Sequence, residues 1–269
     1  MTLVVCPTPI GNLEDVTLRV LRELGEADLV LCEDTRRTRV LLDRHGVQAR
    51  LSAFHRHNEA RRAGGILARL TAGERVALAS DAGLPGVNDP GAALVSAALG
   101  AGLEVTVLPG PSAVETALVA SGLVGERFTF LGYLPRASGA RDRLWAELAG
   151  WAWPAVAFES PQRLPASLAS LAAAQPERPV AVCRELTKRF EEVVRGSARE
   201  VAERFSAPPK GEVTLVLGAL PAPGDEPPAV EAVEAVEELV AAGVSRRQAA
   251  DVVARLTGTS RNRLYRSSL

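Results

Sequence analysis

Short apolar runs rich in β-branched residues alternate with segments of helical periodicity, and this alternation restricts the fold more than any other feature of the sequence. In the first part of the chain it predicts strands at 3–8, 28–34, 75–81 and 104–110, and helices at 17–27, 38–46, 58–73 and 91–102. Strands and helices that alternate in this way build a parallel sheet. We therefore predict an α/β fold with a mostly parallel sheet in a first domain, residues 1–110.

The next part of the chain has a different pattern. Helical segments at 112–122 and 163–174 are mixed with strand-like runs at 128–134, 155–160, 179–186, 191–197 and 211–220. Strand-like runs that follow each other without a helix favour a mixed sheet. We predict a second α/β domain over residues 111–222.

The composition changes again near the carboxyl end. A Pro- and Gly-rich acidic linker occupies 221–228, and an acidic helix is predicted at 229–243. Two short helices follow at 245–258 and 260–269, and each begins with a serine in the N-cap position. The pair resembles a helix-turn-helix, so residues 223–269 are predicted to form a linker and a small helical segment.

Charge and composition exclude several classes of protein. The formal net charge is −1, so any contact with nucleic acid must come from local basic patches. No apolar run reaches the roughly 18 residues needed to cross a bilayer, and we expect no membrane contact. The three cysteines lie far apart and show no zinc-type spacing, which indicates buried, reduced thiols in a cytoplasmic protein and no metal site.

Three irregular segments follow predicted strands of the first domain, at 7–15, 80–91 and 109–113. In open α/β sheets, ligands bind outside the carboxyl ends of the strands, where glycine and proline let the backbone approach a ligand closely. The alternative is that these segments are only tight turns. Their coincidence, with Asp81 and Asp89 in one of them, predicts one ligand site. None matches a dinucleotide-binding or P-loop pattern.

Eight motifs carry a resemblance to a known family: PTPIGNLEDVTLRVL, CEDTRRT, SAFHRHNE, SDAGLPGVNDPG, LPGPSA, ESPQRL, RELTKRFEE and KGEVTLVL. In this order they resemble the tetrapyrrole methylase superfamily, and within it the ribosomal RNA small subunit methyltransferase I family. The resemblance covers residues 3–218, and the tail motif SRRQAAD…LTGTSRNRLY extends it. It implies a two-domain fold, a homodimer, and S-adenosyl-L-methionine as the cofactor. It also implies 2′-O-methylation of a cytidine ribose in the decoding region of 16S rRNA, within the small ribosomal subunit.

The cofactor is expected at the strand-end loops and at one glycine near the last strand. The predicted contacts are Pro9, Ile10, Gly11, Asp81, Gly83, Leu84, Pro85, Ser112, Ala113 and Gly211.

A ribose hydroxyl reacts slowly unless its proton is removed or its oxygen is polarised. The candidate catalytic residues are Glu159, Arg184, Glu185 and Lys188. The chain has 29 arginines and only two lysines, which draws attention to Lys188, because lysine, unlike arginine, can lose its proton when desolvated. The alternatives for Lys188 are a phosphate clamp and a structural ion pair with Glu185 or Glu191.

Contacts with RNA are predicted in two places. One is the loop that carries His57 and Asn58, and the other is the tail, where arginines can bind phosphates and a tyrosine can stack on an unpaired base. The predicted tail contacts are Arg246, Arg247, Arg261, Arg263 and Tyr265. Two other functions stay open: a tetrapyrrole C-methyltransferase, and a non-catalytic, ligand-gated regulator that binds nucleic acid.

Overall fold

The computed structural model describes residues 2–220 and 230–268. Its contacts group the chain into a larger unit, Met1–Leu148 with Trp153–Gly218, and a smaller unit, Ala149–Ala152 with Ala219–Leu269. Apart from residues 149–152 and the last few residues of the second domain, both predicted α/β domains lie in the larger unit, so the boundary at residues 110 and 111 stays a prediction. The linker predicted at 221–228 lies outside the described residues.

The first sheet is parallel, as predicted. Its strands are β1 (Thr2–Cys6), β2 (Leu29–Cys32), β3 (Leu51–Ala53), β4 (Val76–Ala79) and β5 (Glu104–Val107), in the order β3-β2-β4-β1-β5. The central strands are apolar along their whole length because helices cover both faces of the sheet. The short strand β3 was not predicted.

Helices α1 (Leu18–Glu26) and α2 (Thr35–Arg44) cover one face, and α3 (Glu59–Thr71) and α4 (Ala92–Gly100) cover the other. Alternate residues of each strand point to opposite faces. In β1, for example, Val4 packs with the first helix pair and Leu3 with the second. Helix α2 begins three residues earlier than predicted, because the Asp34 side chain caps it by accepting a hydrogen bond from the Arg36 N–H.

The second sheet is mixed, as predicted. It contains β6 (Thr129–Tyr133), β7 (Ala155–Glu159), β8 (Pro179–Arg184), β9 (Glu192–Ser197) and β10 (Val213–Leu217), in the order β6-β7-β10-β8-β9. Only the β6–β7 pair is parallel among these described strands. The helices around it are α5 (Ala113–Ser121), α6 (Ser138–Leu148), α7 (Leu164–Ala174) and α8 (Ala198–Arg204). Helices α6 and α8 were not predicted.

A buried arginine forms hydrogen bonds with three segments around the mixed sheet. The Arg178 side chain is fully buried and donates hydrogen bonds to the Gln175 side chain and to the carbonyl oxygens of Gly218 and Leu148, the last at 2.6 Å. Burial lowers the pKa of its guanidinium to about 10. Arg178 therefore remains charged at neutral pH, and the oxygens around it replace water.

The cysteines are buried free thiols, as the sequence predicts, and the expected location and absence of a metal stay predictions. Cys6 and Cys32 lie in the parallel sheet, and Cys183 lies in β8. Burial raises the pKa of Cys6 to about 12 and that of Cys183 to about 11, and it also raises the pKa of Cys32.

In the smaller unit, α9 (Val230–Ala241), α10 (Arg246–Thr257) and α11 (Arg261–Ser267) pack around one apolar cluster. Ser245 caps α10 by accepting a hydrogen bond from the Gln248 N–H, and Gly258 ends the helix in the left-handed conformation that favours glycine. The predicted helical tail is therefore present. No helix in the described part of the chain is long and apolar enough to cross a membrane.

Candidate active-site cleft

A cleft of about 1180 Å³ opens at the carboxyl ends of β1, β4 and β5. One wall is made by Ile10, residues 81–84 and residues 108–113, so the structure brings together the three irregular segments that the sequence singled out. The carboxyl ends of parallel strands meet at one edge of a sheet, which explains this convergence. The other wall comes from the mixed sheet and includes Phe130, Tyr133, Phe158, Glu159, Gly211 and Glu212.

Hydrogen bonds join the first two loops. Thr8 and Gly83 exchange backbone N–H···O bonds of 2.9 Å in both directions. The Thr8 hydroxyl donates to the Ser80 carbonyl at 3.0 Å, and the Ser80 hydroxyl donates to the Gly83 carbonyl at 2.7 Å. Gly83 has a φ of +80°, which is accessible to glycine at little cost. The two loops thus form one framework at the floor of the cleft.

Asp81 is oriented from the neighbouring strand end. Its Oδ1 accepts a hydrogen bond of 2.9 Å from the Asp34 N–H, and its Oδ2 lies 3.7 Å from the Arg37 guanidinium. Hydrogen bonds from Arg36 lower the pKa of Asp34 itself to about 2. Asp81 is therefore fixed in position, and it faces the cleft.

The cleft has an acidic lining. The carboxylates along it belong to Glu33, Asp34, Asp81, Asp89, Glu115, Glu159 and Glu212. Burial, and then the charges of Glu33 and Asp81, raise the pKa of Asp89 to about 6. Such a lining stabilises a cationic ligand, and S-adenosylmethionine carries a sulfonium and an ammonium group. The carboxylates of the cleft therefore fit the cofactor that the family resemblance implies.

Most of the residues predicted to bind the cofactor line this cleft. Their interactions with a cofactor stay predictions. The lining residues among them are Ile10, Asp81, Gly83, Leu84, Ser112, Ala113 and Gly211. Pro9 and Pro85 are buried and are not among the lining residues. Gly11 lines a separate, shallower pocket of about 430 Å³, together with Asn12, Arg44 and Lys188.

Gly11 is required for close packing between its loop and the segment after β8. A Cβ at this position would lie 2.5 Å from Lys188 Cγ, 2.7 Å from Thr187 Oγ1 and 2.8 Å from the Leu186 carbonyl oxygen. We expect Gly11→Ala to lower the free energy of unfolding by about 1–3 kcal/mol, because the backbone must move to relieve these contacts. Urea denaturation followed by circular dichroism measures this change.

Gly64→Ala is the matched control for this substitution. Gly64 lies inside α3, and a Cβ added there would have no atom within 4 Å, so alanine should raise stability by about 0.5–1 kcal/mol. Equal unfolding midpoints for Gly11→Ala and the unmodified protein would contradict the packing argument.

Two of the candidate catalytic residues are already engaged within the protein. Glu159 is buried and accepts hydrogen bonds from the Ser160 N–H at 2.6 Å and the Ser167 hydroxyl at 2.5 Å, with a salt bridge to Arg163. Arg184 pairs with Glu192 at 3.0 Å, across the β8–β9 ladder. Glu159 lines the cleft and Arg184 is not among the lining residues; catalytic roles for both stay predictions.

Lys188 is held between two carboxylates. Its Nζ lies 2.8 Å from Glu185 and 2.8 Å from Glu212. Burial lowers the pKa of Lys188, but the hydrogen bonds from Nζ to these two residues outweigh burial and raise it above its usual value. The same lysine and the Glu212 N–H lower the pKa of Glu185. This environment favours the ammonium form, so it supports the structural or clamping alternatives over a role as base.

The two residues predicted to bind RNA near residue 57 differ in accessibility. His57 is exposed. Asn58 is buried: its side-chain oxygen accepts a hydrogen bond from the His55 N–H at 2.9 Å, and its amide nitrogen donates to the Ala53 carbonyl at 3.2 Å. Its polar atoms thus hold the loop together, and RNA contact at His57 stays a prediction.

In the tail, Arg247, Arg261 and Tyr265 are exposed and Arg246 is half-buried. The side chain of Arg263 lies outside the described residues.

Several cleft residues were not predicted. They include Glu33, Arg37, Asn88, Phe130, Tyr133, Phe158 and Glu212. Glu33 and Arg37 follow β2, so the rule that directed attention to the ends of the other strands also applies to them. The aromatic residues lie inside strands of the mixed sheet, and no local pattern distinguishes them from ordinary core residues.

Comparisons with known proteins agree with this architecture. Residues 2–202 match the family described as Tetrapyrrole (Corrin/Porphyrin) Methylases, and residues 226–269 match the RsmI C-terminal HTH domain. Among solved structures, a diphthine synthase superposes with a TM-score of 0.64 at 16% identity, over 81% of this chain and 90% of that one. A uroporphyrin-III C-methyltransferase from Thermus thermophilus, solved with S-adenyl homocysteine, gives a TM-score of 0.56 at 20% identity, over 81% and 96%. These likenesses show the fold.

Curated relatives are more similar in sequence. A protein of Mesorhizobium japonicum named ribosomal RNA small subunit methyltransferase I is 43% identical over 97% of this chain and 89% of its own length. A protein of the same name from Neisseria meningitidis serogroup B is 40% identical over 98% and 91%. Another from Thermotoga maritima is 43% identical over 80% of this chain and 97% of its own.

Proposed function

The chain belongs to the ribosomal RNA small subunit methyltransferase I family of the tetrapyrrole methylases, and on that premise we propose that it methylates the 2′-oxygen of a cytidine ribose in the decoding region of 16S rRNA. Its methyl donor is S-adenosylmethionine. The observation that carries the proposal is the acidic cleft at the carboxyl ends of β1, β4 and β5, which suits a cationic donor.

When bound, the donor supplies an electrophilic methyl group, and the chain supplies position. The loops joined at Thr8 and Gly83 form a fixed surface for the donor. The Asp34 N–H fixes the orientation of the Asp81 carboxylate, which faces the same cleft. Methyl transfer requires the attacking oxygen about 3–3.5 Å from the methyl carbon and in line with the bond that breaks. A rigid floor limits the freedom of that approach, which lowers the entropic part of the barrier.

The aromatic residues of the other wall provide an apolar surface for a nucleoside. Phe158 packs edge-on against Phe130, with ring centroids 5.1 Å apart, and against Tyr133 at 5.6 Å. Unpaired bases stack on such side chains. We assign this wall to the target nucleotide, and the strand-end loops to the donor.

Mass spectrometry of the product tests the proposal. Small ribosomal subunits and free 16S rRNA that lack the modification are incubated with the protein and labelled S-adenosylmethionine, and the RNA is digested to nucleosides. We expect 2′-O-methylcytidine from the decoding region. Label on a base instead of a ribose would contradict the ribose assignment. Transfer only to a tetrapyrrole supplied in a parallel reaction would favour a C-methyltransferase, and binding without transfer would favour a regulator.

We further propose that the tail binds RNA phosphates. The exposed arginines 247 and 261 lie in α10 and α11, and neither forms a salt bridge within the described part of the chain. The double variant Arg247→Gln/Arg261→Gln should weaken subunit binding and reduce the slope of log K against log salt by about 1.5, because two fewer phosphates are neutralised. Filter binding at several salt concentrations measures the slope.

The affinity for S-adenosylmethionine should stay unchanged in that double variant. Arg199→Gln is the control: this arginine is exposed in α8 and pairs with Glu177 at 3.3 Å, so its loss should leave the slope as it is. Identical slopes for the double variant and the unmodified protein would remove the tail from the RNA interface.

The family also implies a cytoplasmic location, a homodimer, and the small ribosomal subunit as the substrate. All three are part of the proposal. Light scattering of the purified protein tests the dimer. Comparison of the methylation rates on assembled subunits and on free rRNA tests the substrate.

A further inference from the structure

The loop at 84–91, which follows β4, is bent into a fixed shape. The Gly86 N–H donates to the Pro90 carbonyl at 3.1 Å, and the Val87 N–H donates to the Leu84 carbonyl at 3.3 Å. Asn88 has a φ of 61°, which is unusual for a residue other than glycine. Such conformations persist only where the surroundings enforce them, and they occur often at functional sites.

The surroundings hold this loop from both sides. The Arg56 guanidinium donates to the Asn88 carbonyl at 2.5 Å, and Glu59 accepts a hydrogen bond of 3.1 Å from the Gly91 N–H. On the other side, Gly132 of β6 leaves room for the Asn88 side chain, since a Cβ there would come within 3.2 Å of it. Asp89 is the residue between these fixed points, and it lines the cleft.

Asp89 and Glu33 differ from the other carboxylates of the cleft. Asp34, Asp81, Glu115, Glu159 and Glu212 each accept a hydrogen bond or form a salt bridge within the protein. Among the lining carboxylates of the described residues, only Glu33 and Asp89 have neither. A carboxylate without an internal donor keeps its lone pairs available for a ligand.

The groups that face Asp89 come from the ends of three neighbouring strands of the parallel sheet and from one strand of the mixed sheet. Glu33 follows β2, Arg56 follows β3, Asp81 follows β4, and Tyr133 lies in β6. Burial and the two negative neighbours outweigh Arg56 and raise the pKa of Asp89 to about 6. At pH 7 Asp89 is therefore mostly ionised, and its basicity exceeds that of an ordinary carboxylate.

We propose that Asp89 is the proton acceptor of the methyl transfer, a catalytic role that rests on the proposed ribose 2′-O-methylation. As the hydroxyl oxygen forms its bond to the methyl carbon, the carbon–sulfur bond breaks and its electron pair goes to sulfur. The hydroxyl proton passes to the Asp89 carboxylate, which afterwards releases it to water. The overall change is one ether and one thioether formed, with one proton released.

Asp89→Asn tests the assignment, because the amide keeps the size of the side chain and cannot accept the proton. We expect the single-turnover methylation rate on small subunits to fall by about 10²- to 10⁴-fold. The rate is measured at saturating S-adenosylmethionine and subunit, with dissociation constants from calorimetry and filter binding, so that a contribution of the Asp89 charge to binding is separated from proton transfer. A rate within threefold of the unmodified protein would overturn the proposal.

The pH profile gives an independent measurement. The rate of the unmodified protein should fall as the pH drops through about 6, because protonated Asp89 cannot accept a proton. Glu33→Gln removes a negative charge that raises this pKa, so the midpoint of its acid limb should move to lower pH, whatever the plateau rate of this cleft variant. An acid limb that does not move would overturn the assignment of that limb to Asp89.

Carbon-13 NMR of labelled aspartate carboxyls supplies a readout that is independent of activity. One resonance with a midpoint near pH 6 should be present in the unmodified protein and absent in Asp89→Asn. Failure of the proposed function is distinguishable, because the unmodified protein itself would then yield no 2′-O-methylcytidine. Failure of the present proposal leaves that product intact and leaves Asp89→Asn active.

Discussion

Arg178→Ala is expected to lower the free energy of unfolding by about 3–5 kcal/mol, because it leaves buried oxygens without a donor and removes the packing of a long side chain. The acceptors are the Gln175 side chain and the Gly218 and Leu148 carbonyls, and they come from three separate segments of the second half. Water cannot replace the guanidinium without opening the core, since Arg178 has no exposed surface. Urea denaturation monitored by circular dichroism measures the loss.

The matched control for Arg178 is Arg199→Ala. Arg199 is about two-thirds exposed, at 63%, and its partner Glu177 is exposed as well, so we expect a change below about 1 kcal/mol. Arg178→Lys should give an intermediate loss, because one ammonium group cannot reach all three acceptors. If Arg178→Ala unfolds at the same urea concentration as Arg199→Ala, the buried arginine does not stabilise this half of the protein.

Asp81→Asn is expected to raise the dissociation constant for S-adenosylmethionine by about 10- to 100-fold, the range that corresponds to the loss of one charged hydrogen bond. Asparagine keeps an oxygen that can accept from the Asp34 N–H, so the loop retains its anchor and the experiment isolates the charge. Isothermal calorimetry with the cofactor measures the change directly.

Asp43→Asn provides the control for this substitution. Asp43 is an exposed residue near the end of α2 and is not among the residues of the cleft, so the cofactor affinity should stay the same. An unchanged dissociation constant in a folded Asp81→Asn protein would show that Asp81 does not contact the cofactor.

The sequence predicted the part of the fold that depends on local patterns. The strands β1, β2 and β4 were recognisable because a strand covered by helices on both faces is largely apolar. The edge strand β5, of sequence EVTV, was recognisable from its β-branched residues. Helix α8 and strand β3 are short and partly polar, and their positions depend on neighbours distant in the chain. The order of the mixed sheet depends in the same way on pairing across the chain, for which local periodicity contains no signal.

In the candidate site, too, some residues were predictable from local sequence and others depend on residues distant in the chain. Asp81 follows a buried strand and was therefore predicted from position alone, whereas Lys188 attracted attention because lysine is rare in this chain. What Lys188 does depends on Glu212, which is distant in sequence and lies 2.8 Å away in the structure. Asp89 was visible in its motif, but its lack of an internal hydrogen-bond donor became apparent only when the partners of the other carboxylates were known.

The reactivity of the three buried cysteines can be used to follow the unfolding of each sheet. A thiol that is at most 1% exposed, with a pKa far above neutrality, reacts slowly with an alkylating reagent until the surrounding structure separates. Cys6 and Cys32 mark the parallel sheet and Cys183 marks the mixed sheet. Mass spectrometry after a pulse of iodoacetamide therefore times the exposure of each sheet separately, without any introduced label.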